Sequence, residues 1–391
     1  MNDSQGLNES NDDVHRILHI IKEVRTHLIR YNTIMIDLFN RTHCFYWQTD
    51  RELSPEDYAE IFLKRHEIAD NEIAQVLREG VTAIDTSRQL EIVPADENVV
   101  KGNVNIVRKV LIDGRSYVVR LHPKGVKNGY FYVEQAALQA AKRHDIPVPE
   151  VIEVHEAAHS SNMDFMLMTQ SSGQTMDNSL ERSPNDEGTL LLECGQTMAR
   201  IHQIPVEGYG PFSNVTAKES GKLVGLHKSY QDFILTALDE NLERLIHYDV
   251  IDTAMSRKLR QVFNERRYEP IDGPRLVHND FADWNVLTDG QQLTAVLDWD
   301  ECHAGDPVAD LACWSTFFTM DRYALFLQGY TQVASLPDDY EERFHYYRLR
   351  YTISKMTLRI KRFQVDRSDG LLKRLEAGKL AMTEELAWLK L

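Results

Sequence analysis

The stretch LVHNDFADWNVLTDGQQLTAVLDWD, residues 276–300, sets a histidine and a series of aspartates between two apolar runs that read as buried strand. Carboxylates stay in apolar surroundings when they are paired, hydrogen-bonded or holding a metal. Val286-Leu287-Thr288, the Asp289-Gly290 turn and Leu293 to Leu297 read as a β-hairpin. Such a hairpin returns the chain so that Asp298 lies toward the same end as Asn285. Two hard oxygen ligands then converge, and magnesium takes one or two such groups together with phosphate oxygens. Just upstream, His278, Asp280 and Asn285 make the pattern H-x-D-x4-N. That spacing suits a phosphoryl-transfer loop in which the Asp takes a hydroxyl proton and the Asn binds the metal.

The rest of the chain sets bounds on that reading. With 391 residues it is long enough for two or three cores. Hydrophobic residues make up 42% and charged residues 27%, which is the composition of a globular protein. A net charge of -16 repels nucleic-acid backbones and anionic lipid and steers cationic small molecules inward, so no nucleic-acid or membrane partner is expected. Cys44, Cys194, Cys302 and Cys313 form neither a CxxC pair nor an even framework, so neither a disulfide scaffold nor a zinc site is indicated, and a reducing compartment suits them. The opening MNDSQGLNESNDD carries no basic-then-apolar leader pattern, and the expected location is the cytoplasm.

Along the chain, Ile17, Ile21, Val24, Leu28, Tyr31, Met35 and Leu38 alternate spacings of four and three, which predicts a long helix over residues 13–47. Ser54-Pro55-Glu56-Asp57 starts a second helix that ends near Gly80. The two would form a helical hairpin that buries its stripes against each other, the next domain or a second copy, as in a homodimer. From residue 90 strands take over: VNIVRKVLI, the Asp113-Gly114 turn, RSYVVRL, a helix with Glu134, PVPEVIEVH and DFMLMTQ. The expectation is a small antiparallel unit of five strands and one helix, followed from residue 188 by a mainly helical region. The boundaries are 1–88 for the helical extension, 89–170 for the small nucleotide-binding lobe and 171–391 for the large helical lobe.

The segments YVVRL, IPVPEV, GQTMARIH, GYGPF, HNDFADWNVLTDGQQLTAVLDWDE and GDPVADLA follow in this order over residues 100–315. In that order the chain resembles the aminoglycoside phosphotransferase family, a branch of the protein-kinase-like fold. The resemblance implies an α+β, two-lobed fold and a magnesium-dependent kinase that moves the γ-phosphoryl group of ATP or GTP to a hydroxyl of a cationic small molecule. An aminoglycoside-type acceptor is expected; choline-like amines, sugars, amino alcohols and macrolides are alternatives, as is a non-catalytic binding protein of the same shape.

Carried over by position, Asp280 is the catalytic base, His278 orients the loop, and Asn285 and Asp298 hold Mg2+. Arg120 takes the place of the strand cation on the nucleotide phosphates and Glu134 that of its helix partner. KGNVN supplies the single Gly102 where a kinase has a glycine-rich loop. Met168, Thr169 and Gln170 stand at the hinge where backbone groups would meet the base. Asp310, in the first turn of a helix that Asp306-Pro307 begins, supports the catalytic loop through its backbone N–H groups. Asp300 and Glu301 are candidates for meeting the cationic acceptor. His202 reads as structural, and His43, His66 and Asp70 as surface residues. The basic run Arg348, Arg350, Lys355, Arg359, Lys361 and Arg362 reads as a solvated helical face.

Overall fold

The structure, a computed structural model, describes residues 36–37, 41–50, 68–87, 89–93, 105–123, 126–127, 129–157, 163–183, 186–365 and 367–390. Its small lobe is a five-stranded antiparallel sheet in the order Leu90–Ile92, Ile106–Ile112, Arg115–Leu121, Phe165–Thr169, Val151–His155. The Asp113-Gly114 turn has positive φ at both residues, 48° and 75°, the geometry that matches the twist of the strands it joins. Register is set by inward apolar side chains: Val110, Val119, Leu121, Phe165 and Leu167 are all sealed from solvent. The helix Phe131–Arg143 follows the third of these strands and buries Val133, Glu134, Ala137 and Ala141.

The amino-terminal expectation needs correction. Ile36–Asp37 is a short strand paired in parallel with Val126–Lys127, and residues 41–46 turn before a single helical turn at Trp47–Asp50. With Ile36–Asp37 extended and residues 41–46 in turns and bends, no single helix runs over residues 13–47; Cys44, Phe45, Tyr46 and Trp47 are all buried. The residues of the heptad seam itself, Ile17 to Leu38, lie outside the described residues, as does the Ser54 start. The second helix is Asp70–Gly80; Ala69 before it is extended, so no single helix joins Ser54 to Gly80. Ile73, Ala74 and Leu77 of this helix share the core of the small sheet, so it belongs physically to the small lobe.

The large lobe is helical, with Glu187–Ile201, Met320–Thr331, Tyr340–Phe363 and Asp369–Trp388 around one core. Two glycines decide how the first pair crosses. A Cβ on Gly195 would stand 1.9 Å from the Phe326 carbonyl oxygen, and one on Gly329 2.0 Å from that of Leu192. Only hydrogen fits at either point. Short strands then carry the opening stretch: Arg275–Val277 pairs antiparallel with His303–Gly305, and Val286–Thr288 with Leu293–Val296, the hairpin read from the sequence.

Candidate active site

The stretch between Val277 and Val286 is a loop that the hydrogen bonds of one carboxylate shape. Asp310, 1% exposed in the first turn of the helix Pro307–Ser315, accepts the N–H of His278 at 2.8 Å and of Asn279 at 3.0 Å. His202 lies 3.1 Å from the same carboxylate through Nε2 and meets the Tyr330 hydroxyl through Nδ1. Burial alone would raise the Asp310 carboxyl, but the hydrogen bond and charge of His202, with His278, hold it below the usual carboxylate range. Asn279 is thereby kept at φ 67°, in the left-handed region, and its carbonyl accepts the Cys313 thiol.

That turn presents Asp280. Its backbone N–H donates to His278 Nδ1 at 3.3 Å, while His278 Nε2 lies 3.1 Å from the Leu297 carbonyl. Nδ1 accepts a backbone N–H and Nε2 faces a carbonyl, so both nitrogens are engaged with the ring proton on Nε2, and burial lowers the imidazole below its ordinary range. It is a spacer between the loop and the hairpin. Asn285 Nδ2 donates to the Asp280 carbonyl at 2.8 Å and to Asp280 Oδ2 at 2.9 Å. The Asn285 carbonyl accepts the Leu297 N–H at 2.8 Å, and this backbone bond brings Asp298 beside the loop, as the hairpin reading expects. Burial first, then the charges of Asp298 and Asp300, push the Asp280 carboxyl well up, against the pull of Lys355 and the Asn285 hydrogen bond.

Across the cleft, Arg120 links both lobes. One guanidinium nitrogen pairs with Glu134, which is fully buried, and the other meets Asp298 Oδ1 at 2.6 Å. The Asp298 side chain is still 40% exposed, open toward the cleft. Asp298 with the Asn285 amide is a hard-oxygen pair of the kind magnesium takes when phosphates supply its remaining ligands. Among the described residues no three His, Cys, Asp or Glu gather as a metal cluster. Met168 is buried at the end of its strand, Thr169 N–H bonds to Glu150, and Gln170 N–H to the Ser116 carbonyl at 3.4 Å. Gly102 and His66 lie outside the described residues.

Two candidates are placed differently from their sequence reading. Asp300 and Glu301 are 3% and 6% exposed. Both Glu301 oxygens face residues 41–50, accepting Trp47 N–H at 3.3 Å and Gln48 N–H at 3.2 Å, and the Asp300 carbonyl accepts the Arg41 guanidinium. Arg41 is sandwiched between the rings of Tyr130 at 3.5 Å and Trp47 at 4.3 Å. Asp50 closes the turn by accepting Phe45 and Tyr46 N–H and is held by Asn241 Nδ2 at 2.9 Å. Arg350 lies 3.9 Å over Phe45, and Thr49 donates to the Ser354 carbonyl. With Phe45, Tyr46 and Trp47 each burying roughly 150–250 Å², the apolar contribution is on the order of 10 kcal/mol before ordering entropy is subtracted.

The basic run also turned out otherwise. Arg350 and Lys355 are buried, not solvated. Arg350 donates to the carbonyls of Ile234 and Thr236 and to Ser354, and Lys355 donates to Thr316 and to the Cys313 carbonyl while lying 3.2 Å over Phe317. Burial pulls the Lys355 ammonium down to about 8, with Cys313 and Asp280 opposing. Arg41, Arg350 and Lys355 were missed because a basic residue at helical spacing reads the same whether its partners are water or carbonyls on distant elements. The aromatic residues Phe45-Tyr46-Trp47 were the available signal.

Residues 98–346 match the model of the phosphotransferase enzyme family. Hygromycin-B 4-O-kinase of Escherichia coli is 28% identical over 213 residues; that match spans 52% of this chain and 57% of the kinase, just over half of its length. Among solved structures, aminoglycoside phosphotransferase APH(4)-Ia aligns with a TM-score of 0.58 at 20% identity, covering 80% of this chain and 99% of that one. A thermostable mutant of the same enzyme, in ternary complex with AMP-PNP and hygromycin B, aligns with a TM-score of 0.55 at 21% identity over 79% and 98% of the two chains. At that identity these likenesses show a shared fold, the two-lobed protein-kinase-like one.

Proposed function

The chain belongs to the phosphotransferase enzyme family, and from that premise we propose that it transfers the γ-phosphoryl group of ATP or GTP to a hydroxyl of a cationic, aminoglycoside-type small molecule. The observation that carries the reading is the convergence of Asp280, Asn285 and Asp298 with the Arg120–Glu134 pair. Arg120 would bind the nucleotide phosphates, held in aim by Glu134. Asp298 and Asn285 would hold Mg2+, whose charge offsets that of the phosphates. Asp280 would accept the acceptor's hydroxyl proton as its oxygen bonds to phosphorus and the bond to the β-phosphate breaks, leaving the nucleoside diphosphate.

In this reading residues 89–170 are the nucleotide lobe, 171–391 the acceptor lobe and 1–88 an extension shared between them, since Asp70–Gly80 packs with the small sheet and residues 41–50 with the large lobe. The net charge of -16 favours a cationic acceptor over nucleic acid. Among the described residues no helix is long and apolar enough to cross a membrane. A reducing cytoplasm suits the four free, buried cysteines. The heptad-spaced residues before position 38 would offer a surface for pairing two chains. Incubation with γ-labelled ATP or GTP and a panel of aminoglycosides, macrolides, sugars and amino alcohols tests the activity: label should pass to an aminoglycoside in a magnesium-dependent way. Label passing only to a neutral or anionic acceptor would refute the substrate class.

A further inference from the structure

The acids after Asp298 are where a cationic acceptor would first be sought, and they are closed off. Residues 41–50 cover them: Arg41, Phe45, Tyr46 and Trp47 are all nearly sealed from solvent, and Glu301 is taken by two backbone N–H groups. This segment is tied to the large lobe through Asp50–Asn241, Thr49–Ser354 and the Arg350–Phe45 contact, so it is a wall and not a lid. The catalytic loop itself carries an exposed aromatic residue. There Trp284, between Asp283 and Asn285, is 41% exposed although its neighbours on either side are buried.

The indole is held in place. It meets the Phe317 ring edge-on with centroids 5.4 Å apart and the Phe318 ring at 6.2 Å. Asp283 before it is fixed by an ion pair to Arg322 at 2.6 Å, and Asn285 after it by its bonds to Asp280. Met320, 49% exposed, follows Phe317 and Phe318 in the chain. A large apolar ring braced by its neighbours and left exposed on the loop that carries Asp280 and Asn285 has no packing role on its free side. It offers a π face to an ammonium or to the C–H face of a sugar ring.

We propose that Trp284 is the acceptor-recognition residue, binding an ammonium-bearing ring compound on the exposed face it presents from the loop that carries Asp280, while Glu301 serves that wall and does not touch the acceptor. The inference rests on the phosphotransferase reading for what the acceptor does next, but not for its binding. Hygromycin B is therefore titrated calorimetrically into protein carrying Asp280→Asn, so that binding is read without turnover, with and without Trp284→Ala or Trp284→Phe. The same Trp284 variants are then assayed for turnover in the wild-type background. Trp284→Ala should weaken hygromycin B binding and raise its KM tenfold or more, Trp284→Phe should restore part of the loss, and nucleotide affinity should stay within twofold.

Unchanged hygromycin B affinity in Trp284→Ala overturns the proposal, as does affinity that follows Glu301→Gln and ignores Trp284. Trp284-dependent binding with no transfer of phosphate to any acceptor would uphold the recognition role and refute the phosphotransferase reading. Failure of the compound to bind the wild-type protein at all would overturn the recognition role even if transfer to another acceptor is seen.

Discussion

Replacing Asp310 with Asn tests whether one carboxylate shapes the loop that carries Asp280. The substitution keeps size and shape and removes the charge together with one acceptor oxygen. Asp310 accepts from His278 N–H, Asn279 N–H and His202 at 2.8, 3.0 and 3.1 Å, at a site 1% exposed. An amide has one oxygen, so its NH2 must face a buried donor, which costs about 1–3 kcal/mol. The two remaining bonds change from charge-assisted to neutral, roughly another 1 kcal/mol each. The sum is about 3–5 kcal/mol, a large fraction of the roughly 5–15 kcal/mol that holds a domain folded. Urea unfolding of both proteins at pH 7.5 measures it.

The same change frees Asn279 from its left-handed φ of 67°, so turnover should fall at least tenfold. Nucleotide affinity, which rests on Arg120, should stay within about threefold. The sign with pH is also fixed. Because the folded carboxyl is held below its ordinary value, its contribution is fully present above the unfolded carboxylate range of about 4 and fades as pH falls through the folded value. The gap between wild type and Asp310→Asn should thus be constant from pH 8 to 5 and narrow only in stronger acid. A gap under 1 kcal/mol with unchanged turnover would refute the argument.

Asp280→Asn should keep magnesium-dependent affinity for a non-hydrolysable nucleotide while turnover drops about a hundredfold or more, whereas Asp298→Asn should weaken both; equal loss of affinity in calorimetric titration would mean the two roles are misassigned. Phe45→Ala should destabilise the large lobe by about 3–5 kcal/mol, read from thermal and urea unfolding, because the ring packs on Phe233 and Tyr351 and under Arg350. His303 is pushed by burial down to about 4. Its unfolded imidazole takes up a proton below about 6.5, so stability is complete above that pH and declines between about 6.5 and 4, by up to roughly 3 kcal/mol. In His303→Gln that decline should be smaller over the same window of urea midpoints.

The legible parts of this protein are those in which the signal is local. The Asp113-Gly114 hairpin, the Val286–Val296 hairpin and the Asp306 cap are each written in a few adjacent residues, and each forms where the sequence places it. The pairing of Asp280 with Asn285 follows from the spacing of a loop five residues long. What the sequence leaves open depends on partners far along the chain. Glu301 reads as a candidate for meeting the cationic acceptor until Trp47 and Gln48, about 250 residues earlier in sequence, are found to donate to it. Arg350 reads as a surface charge until its carbonyl partners on Ile234 and Thr236 appear.

Arg120 shows how these levels combine. A lysine in its place could offer one carboxylate a compact charge; the planar guanidinium reaches Glu134 with one nitrogen and Asp298 with another. Burial works against the cation, but Glu134, Asp298 and Asp300 together hold its pKa up. The result is a bridge between the lobes through a residue that the proposed chemistry also needs for the phosphates. Under the proposed function, Arg120 would give up Asp298 to bind the nucleotide phosphates, and the freed Asp298 carboxylate would be available to hold Mg2+. Each group would then face an opposite charge before and after the exchange, which avoids the costly state of a bare buried ion. The step therefore replaces one set of charge pairs with another, and its free energy depends on how well the nucleotide and its metal match the fork that Glu134 holds in place.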